Sequence, residues 1–443
     1  MRALVLASAA LLALSACDSK PKAPELANDT SALANIEVVT SPGGVTAWLV
    51  SEGFVPIVSV QMAWKAGATA QPAEKMGLGW VVAYMMNEGA GDLDTTAYGA
   101  RMEDLNMEFG CGVDMDWTSC SMTTLKATAN ESFEMLRLGL VEPRMDQAPI
   151  DRAKSELSVG LLQSETNPKT IASRALNNAI MPGHPYSRYP TPETVAKISR
   201  DDVIALKNSL MTKDRLLVVV VGDITAEELK PKLDEVFGGL PATSTVPDVS
   251  DVAPAPAPLD PVVKTLPIPQ TLAMFSGPGI KRNDPDFYAA YVLNYILGGG
   301  GFSSRLTDDI REDKGLTYGI GTNLDVSSHL WRWAGSSSTM NDKASEVVRL
   351  IKEHIGKLGA EGPTQKELDD AKAYLTGAFP LSFDSNMKIA SNLMAFRRDD
   401  LGVDYVGQRN DLINAVTLED VKRVAAAYMK PEAFTFVLVG QPK

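Results

Sequence analysis

The chain repeats part of its own sequence. Residues 198–222 align without a gap with residues 416–440, which lie 218 positions further along. Each copy opens with a helix N-cap pattern, continues as an amphipathic helix and ends in an apolar β-branched run that stops at glycine. A repeat this long is not a solenoid and indicates a duplicated domain. The identical pairs are Asp202/Asp420, Val203/Val421, Met211/Met429, Val219/Val437, Val221/Val439 and Gly222/Gly440.

Strand patterns precede helix patterns within the first copy. Apolar runs predict strands at residues 45–50 and 57–64, joined as a hairpin around Glu52 and Gly53. A buried helix is expected at 77–88, strand structure at 109–125, and helices at 131–140 and 149–163. Runs of strands and runs of helices in one domain predict an α+β fold. We therefore expect two homologous domains, each an antiparallel-rich sheet packed with helices.

A proline-rich stretch separates the two copies. Residues 253–258 alternate alanine and proline, which is typical of a semi-rigid extended linker. The predicted domains are therefore 33–240 and 265–443, joined by a linker at 241–264.

Composition excludes two classes of protein. The chain has 42 lysines and arginines against 55 aspartates and glutamates, a net charge of −13, so it lacks the basic surface of a nucleic-acid binder. Its three histidines, His184, His329 and His354, are far apart in the sequence, and no pair has metal-ligand spacing. We expect turn and surface histidines and no metal site built from them.

The N-terminus has the pattern of an export signal. Met1 and Arg2 precede an apolar run that is too short to span a bilayer, and small residues follow. Residues 14–17 resemble a bacterial lipobox, which implies a signal peptide at 1–16, acylation of Cys17 and a tether at 17–32. We predict a lipid-anchored periplasmic protein, and Asp18 favours the inner membrane. The alternative is an ordinary signal peptide with a chance cysteine.

Two further cysteines, Cys111 and Cys120, flank a short polar segment. A two-residue turn at Met115 and Asp116 would place them opposite each other on a hairpin, within disulfide reach. The alternative is a pair of buried thiols.

Six segments, taken in order, resemble the insulinase-type (M16) zinc peptidases, the family with the inverted H-x-x-E-H motif. They are residues 64–70, 77–89, 111–119, 181–188, 297–306 and 311–318. The duplicated organisation agrees with this resemblance, which spans roughly residues 33–443.

The resemblance implies a zinc site that this chain has lost. In the family, two histidines four residues apart bind zinc, the glutamate before the second histidine is the general base, and a later glutamate is the third ligand. Here Trp80 and Tyr84 replace the histidines, Ala83 replaces the base, and the third ligand falls near Gly160. Indole has no free lone pair for zinc and alanine cannot accept a proton. We expect no catalytic zinc and no cofactor on this chain.

The resemblance also implies a substrate-binding second half. There the family carries an arginine and a tyrosine seven residues apart, which correspond to Arg311 and Tyr318. Non-catalytic subunits use a glycine-rich loop at the position of Gly298, Gly299, Gly300 and Gly301 to contact substrate. The alternatives are a surface arginine, a core tyrosine and a helix-capping turn.

We therefore predict a non-catalytic, substrate-positioning subunit of a periplasmic heterodimeric zinc metallopeptidase that cleaves peptides or unfolded proteins. The expected partner carries an intact H-x-x-E-H motif and the zinc. The alternative is an inactive scaffold or assembly protein at the envelope. An unrelated enzyme would have to use pairs such as Asp114/Asp116 or Asp308/Asp309, which are usually turn or cap residues.

Overall fold

The computed structural model describes residues 35–443 and contains two β-sheets with helices packed on both. The first sheet is formed by β1 (Glu37–Thr40), β2 (Thr46–Ser51), β3 (Ile57–Trp64), β4 (Glu108–Val113), β5 (Thr118–Leu125) and β6 (Leu216–Gly222). The helices of this half are α1 (Leu78–Met85), α2 (Thr95–Asp104), α3 (Ala129–Val141), α4 (Gln147–Ser164), α5 (Pro168–Ile180), α6 (Pro192–Ala196), α7 (Arg200–Leu210) and α8 (Ala226–Phe237).

The second half repeats this plan. Its strands are β7 (Val262–Thr265), β8 (Gln270–Pro278), β9 (Thr317–Val326), β10 (Trp331–Met340) and β11 (Thr435–Gly440). Its helices are α9 (Phe287–Asn294), α10 (Ala344–Glu361), α11 (Gln365–Gly377), α12 (Asn386–Arg398), α13 (Tyr405–Asn414) and α14 (Leu418–Tyr428). The predicted α+β class with two similar, sheet-containing halves is confirmed.

The repeated segment folds as the N-cap pattern predicts. Ser199 and Asp202 form a reciprocal capping box at the start of α7, and Thr417 and Asp420 form the same box at the start of α14. The apolar runs that follow become β6 and β11, which lie inside their sheets.

The predicted hairpin of β2 and β3 is wrong. The strand order of the first sheet is β1-β2-β6-β3-β5-β4, so β6 lies between them, parallel to β2 and antiparallel to β3. The uninterrupted valines of β6 explain this arrangement. Val218 and Val220 face the main core of the half, whereas Val219 and Val221 face the other side of the sheet, so the strand is buried on both faces.

In each half, one face of the sheet's central strand is covered by a helix that belongs to the other half. Helix α12 packs on β6 and β3, and α5 packs on β11 and β8. The two helices have the same length and lie 218 residues apart, so α5 and α12 are equivalent helices of the two copies. The halves are therefore joined through two reciprocal hydrophobic clusters.

The connecting segment follows the surface of both halves. The backbone N–H of Val252 donates to the carbonyl of His329, and that of Ala255 donates to the carbonyl of Ile180. The segment ends where β7 begins, at Val262, and β7 pairs with β11 in parallel.

Candidate functional site

Helix α1 carries Trp80, Ala83 and Tyr84, the residues that the resemblance places at the zinc-site positions. It begins after Gly77, whose φ of +101° is a left-handed conformation that favours glycine. The buried side chain of Gln71 accepts hydrogen bonds from the N–H groups of Gly77 (3.0 Å) and Gly79 (3.1 Å) and so caps the helix. Gln71 could not be predicted as a cap, because a glutamine seven residues before a helix is not a local capping signal.

The three replacing side chains differ in exposure. Trp80 is 41% exposed, Ala83 is buried and Tyr84 is half-buried. The rings of Trp80 and Tyr84 are in contact, with centroids 5.2 Å apart. Aromatic surface therefore occupies the outer face of α1, where the family places two imidazoles.

Helix α4 supplies the facing side chains. Glu156 accepts a hydrogen bond from the Tyr84 hydroxyl (3.3 Å), and the guanidinium of Arg152 donates to the same hydroxyl (3.3 Å) and pairs with Glu88. Arg152 and Glu156 lie one turn apart, and Gly160 lies one turn further along the same face of α4. A side chain added at Gly160 would meet no neighbour.

These residues do not fit a zinc ion. Trp80, Ala83 and Gly160 offer no metal-binding atom, and the Tyr84 hydroxyl is engaged by Arg152 and Glu156. Among residues 35–443, no cluster of three or more His, Cys, Asp or Glu side chains is arranged to hold a metal. No metal-dependent step can be assigned to this half.

The hairpin of β4 and β5 lies beside α1. Cys111 and Cys120 are directly opposite on the two strands and form a disulfide, so the structure selects the first of the two alternatives. The turn is at Met115 and Asp116, as predicted. A side chain at Gly79 would contact Val113 at 3.1 Å, which shows how closely α1 packs on β4.

The tip of this hairpin connects the two halves through Asp114 and Asp116, which we call the joint residues together with Tyr186. Asp116 accepts hydrogen bonds from the Tyr186 hydroxyl (2.5 Å) and from the N–H of Ser328 (3.0 Å). Asp114 accepts from the guanidinium of Arg398 (2.7 Å). Burial and the Asp116 carboxylate both raise the pKa of Tyr186. These aspartates therefore have structural partners, and Tyr186 is a joint residue that sequence analysis did not identify.

His184 and His329 both contact the ring of Tyr186, with centroids 5.0 Å and 6.3 Å from it, whereas His354 lies on α10 of the second half. His184 contacts the carbonyl of Ser250, His329 contacts Asp251, and His354 contacts Asp309.

In the second half, the glycine-rich stretch follows α9 as a π-helical segment, Tyr295–Gly299. A side chain at Gly298 would lie 2.8 Å from the Thr322 hydroxyl, and one at Gly300 would lie 2.9 Å from the ring of Tyr295. Gly301 has a φ of +55°. At Gly298 and Gly300 the backbone therefore lies too close to neighbouring residues to accept a side chain, which a simple capping turn would not require.

Arg311 and Tyr318 lie on adjacent elements. Arg311 belongs to a second π-helical segment, Thr307–Asp313, and Tyr318 is the second residue of β9. The Arg311 guanidinium lies 4.6 Å from the centre of the Phe302 ring and 3.2 Å from the Glu312 carboxylate. Tyr318 is 87% exposed. Both polar groups can therefore be reached from solvent. Phe302, which was not predicted, adjoins the arginine.

The predicted lipid anchor lies outside the described residues, since Cys17 and Asp18 precede residue 35. From residue 35 onward, no helix combines the length and apolarity needed to cross a bilayer.

Comparison with known proteins gives a consistent result. Residues 197–375 match the family model described as the peptidase M16 inactive domain. A protein named non-peptidase homolog YmxG from Helicobacter pylori is 23% identical over 397 residues, covering 88% of this chain and 90% of the relative. The uncharacterized zinc protease YmxG of Bacillus subtilis is 22% identical, covering 88% and 94%.

Solved structures share the fold. A peptidase M16 inactive domain from Pseudomonas fluorescens superimposes with a TM-score of 0.85 at 24% identity, covering 92% of this chain and 98% of that one. A protease from Helicobacter pylori gives a TM-score of 0.82 at 16% identity, with coverages of 91% and 99%. The matched domain and the sequence relatives agree: residues 197–375 belong to the family described as the peptidase M16 inactive domain, and the chain is homologous over most of its length to proteins named as zinc proteases and as a non-peptidase homolog.

Proposed function

We propose that the chain is the non-catalytic, substrate-positioning subunit of a heterodimeric zinc metallopeptidase in the bacterial periplasm. It would be anchored to a membrane through acylated Cys17 and would serve the cleavage of peptides or unfolded proteins. One contrast supports the proposal: Trp80, Ala83 and Tyr84 cannot hold zinc, whereas Arg311 and Tyr318 remain accessible.

The chemistry of the two accessible groups suits a peptide. A guanidinium can fork onto a peptide carbonyl or a terminal carboxylate. A phenol hydroxyl can donate to an oxygen that gains negative charge as a peptide bond is attacked. Zinc bound by the partner, a family member with an intact H-x-x-E-H motif, would supply the activated water. This chain would hold and orient the substrate backbone.

The first experiment is a pull-down of the tagged chain from native membranes, followed by peptide hydrolysis with the recovered partner. We expect hydrolysis only in the mixture. Arg311→Ala and Tyr318→Phe should each lower kcat/KM by about 100-fold, without loss of the complex. Arg349→Ala, an exposed arginine on α10, is the matched control.

Unchanged kinetics in Arg311→Ala would refute the role assigned to that residue. Recovery of envelope or respiratory proteins without an H-x-x-E-H chain would favour the scaffold alternative.

A further inference from the structure

The loop between β2 and β3 holds an apolar tip in water. Residues 53–56 carry no charge, and all four are exposed. Phe54 is 94% exposed and Val55 is 47% exposed. In the described part of the chain, Phe54 joins no hydrophobic cluster. We call residues 53–56 the apolar loop.

The backbone on both sides of the apolar loop is fixed. Before the loop, the N–H of Glu52 donates to the carbonyl of Gly222 (2.9 Å). After it, the carbonyl of Pro56 accepts from the N–H of Lys126 (2.8 Å). The Glu52 carboxylate also accepts from the N–H of Phe54 (2.8 Å). The loop therefore presents the Phe54 ring to solvent from a hydrogen-bonded base.

The equivalent loop of the second half keeps its apolar side chains against the protein. The N–H of Leu266 donates to the carbonyl of Gly440, the same bond that Glu52 makes in the first half, so Ile268 corresponds to Phe54. Ile268 is half-buried, and Leu266 packs against the hydrophobic cluster of α5 and β11. A lone exposed apolar residue is ordinary, but here one copy of the loop is packed and the other is directed into water.

The apolar loop lies at the end of the first sheet where the chain enters it. Strand β1 is antiparallel to β2, and Glu37 is opposite Leu49. From the rise and spacing of β-strands, Glu37 lies within roughly 20 Å of Phe54. The proposed acylation site, Cys17, precedes Glu37 by 20 positions, which limits its distance from this end of the sheet to at most roughly 70 Å. The end that carries the loop therefore has the shortest path to the anchoring bilayer.

The charges beside the apolar loop specify the kind of lipid surface. Lys126 is paired with Glu228 and Asp223, and Glu37 adds an exposed carboxylate at the start of β1. These groups together are acidic, which disfavours contact with anionic headgroups. Insertion of the uncharged loop among zwitterionic headgroups needs no opposite charge, because it is driven by removal of apolar surface from water.

We propose that the apolar loop docks on the membrane. Phe54 and Val55 enter the headgroup region of the bilayer that holds the acyl chains, and the loop thereby orients the first half on that surface. An aromatic ring suits this region, where apolar and polar surroundings meet. The inference rests on the lipid anchor of the proposed function and adds a second contact with the lipid surface.

The test uses the full acylated chain in vesicles of phosphatidylcholine and phosphatidylethanolamine. Val55→Cys introduces a thiol for an environment-sensitive fluorophore, since the disulfide and the acylated Cys17 leave no other free thiol. We expect blue-shifted emission that a lipid spin-labelled near its headgroup quenches. Adding Phe54→Ser should lower the partition of the probe into lipid about tenfold. The same fluorophore at Leu412→Cys, an exposed position on α13, is the control and should report water.

The lipid composition tests the driving force. Replacing part of the lipid by phosphatidylglycerol should weaken the quenching at low ionic strength, and added salt should restore it. Quenching that appears only with phosphatidylglycerol would overturn docking by an apolar tip.

Water-like emission from position 55 in an anchored chain would overturn the docking loop and leave the proposed subunit role standing. A chain that does not stay with the vesicles would overturn the anchor of the proposed function, and the docking loop with it. A blue shift that occurs in detergent only when the zinc-bearing partner is bound would identify the loop as a subunit contact and overturn lipid docking.

Discussion

Lys207 of α7 is buried, at 4% exposure, and burial lowers its pKa from 10.5 to about 8. At pH 7 the folded chain therefore holds an ammonium group that is poorly hydrated. We expect Lys207→Met to raise the free energy of unfolding at pH 7 by about 1–3 kcal/mol. Between pH 8 and 10.5 the unfolded chain binds more protons at this position than the folded one, so wild-type stability should rise across that window and the variant should not show this rise.

Urea unfolding at several pH values measures both effects. Lys197→Met, at an exposed position shortly before α7, is the matched control. A variant that is less stable than the wild type at pH 7 would show that the Lys207 ammonium is better solvated or paired than its burial indicates.

Asp202 shows the opposite case, a carboxylate that the fold stabilises. Burial opposes its ionisation, but hydrogen bonds from Lys75 and Ser199 outweigh burial and hold its pKa at about 2, below the ordinary 3.8. Its stabilisation is therefore present above pH 4 and lost as the pH falls toward 2. Asp202→Asn should cost about 1–2 kcal/mol at pH 7 and little near pH 2.

The same urea titrations, run at pH 7 and near pH 2, test Asp202. The exposed neighbour Asp201, changed to asparagine, is the control. An equal loss of stability at both pH values would contradict a role for the Asp202 charge.

At the scale of elements, local sequence patterns predicted the helix caps, a helix and a hairpin, which are determined by residues close together in the chain. Both capping boxes, helix α1 and the hairpin with its turn at Met115 and Asp116 follow from short-range signals. The insertion of β6 between β2 and β3 does not, because β6 follows β3 by about 150 residues and its pairing depends on burial of both faces.

The candidate site divides in the same way. The positions of Trp80 and Tyr84 on one helix face follow from their spacing. The cap by Gln71, the two π-helical segments and the contact of Phe302 with Arg311 arise from tertiary packing, which the periodicity of a single segment does not encode.

The disulfide of the β4–β5 hairpin gives an element-scale prediction. It closes a short loop on an edge strand that packs against α1, and the hairpin tip carries the joint residues Asp114 and Asp116. Reduction should lower the free energy of unfolding by about 2–3 kcal/mol, because the unfolded chain regains loop entropy. Urea unfolding with and without a dithiol measures this loss, and Cys111→Ala/Cys120→Ala should be insensitive to the reductant. Identical midpoints for oxidised and reduced wild type would contradict the prediction.

For the whole molecule, the reciprocal helices decide how the halves are held together. Val219 and Val221 of β6 pack against Ile389 and Leu393 of α12. Leu176 of α5 shares a cluster with the valines of β11. Arg397 of α12 also donates to the carbonyl of Val218 (2.5 Å), and burial lowers the pKa of Arg397 to about 10. Each half thus completes its partner's core, and neither sheet keeps both faces covered alone.

This arrangement predicts that the linker is not needed to keep the halves together once the chain has folded. A protease site placed beside Leu259, which is 90% exposed, should allow complete cleavage while the two fragments elute as one species of native size. The reason is that separation would expose the apolar faces of both central strands to water. Gel filtration after cleavage measures the association, and urea should then unfold the pair at a lower midpoint that depends on concentration.

A substitution in the interface gives the control. Leu393→Asp places a charge in the hydrophobic cluster between α12 and β6 and should make the cleaved halves separate, whereas Leu412→Asp, at an exposed position, should not. Fragments that separate without any substitution would show that the linker, and not the packing of α5 and α12, holds the molecule together.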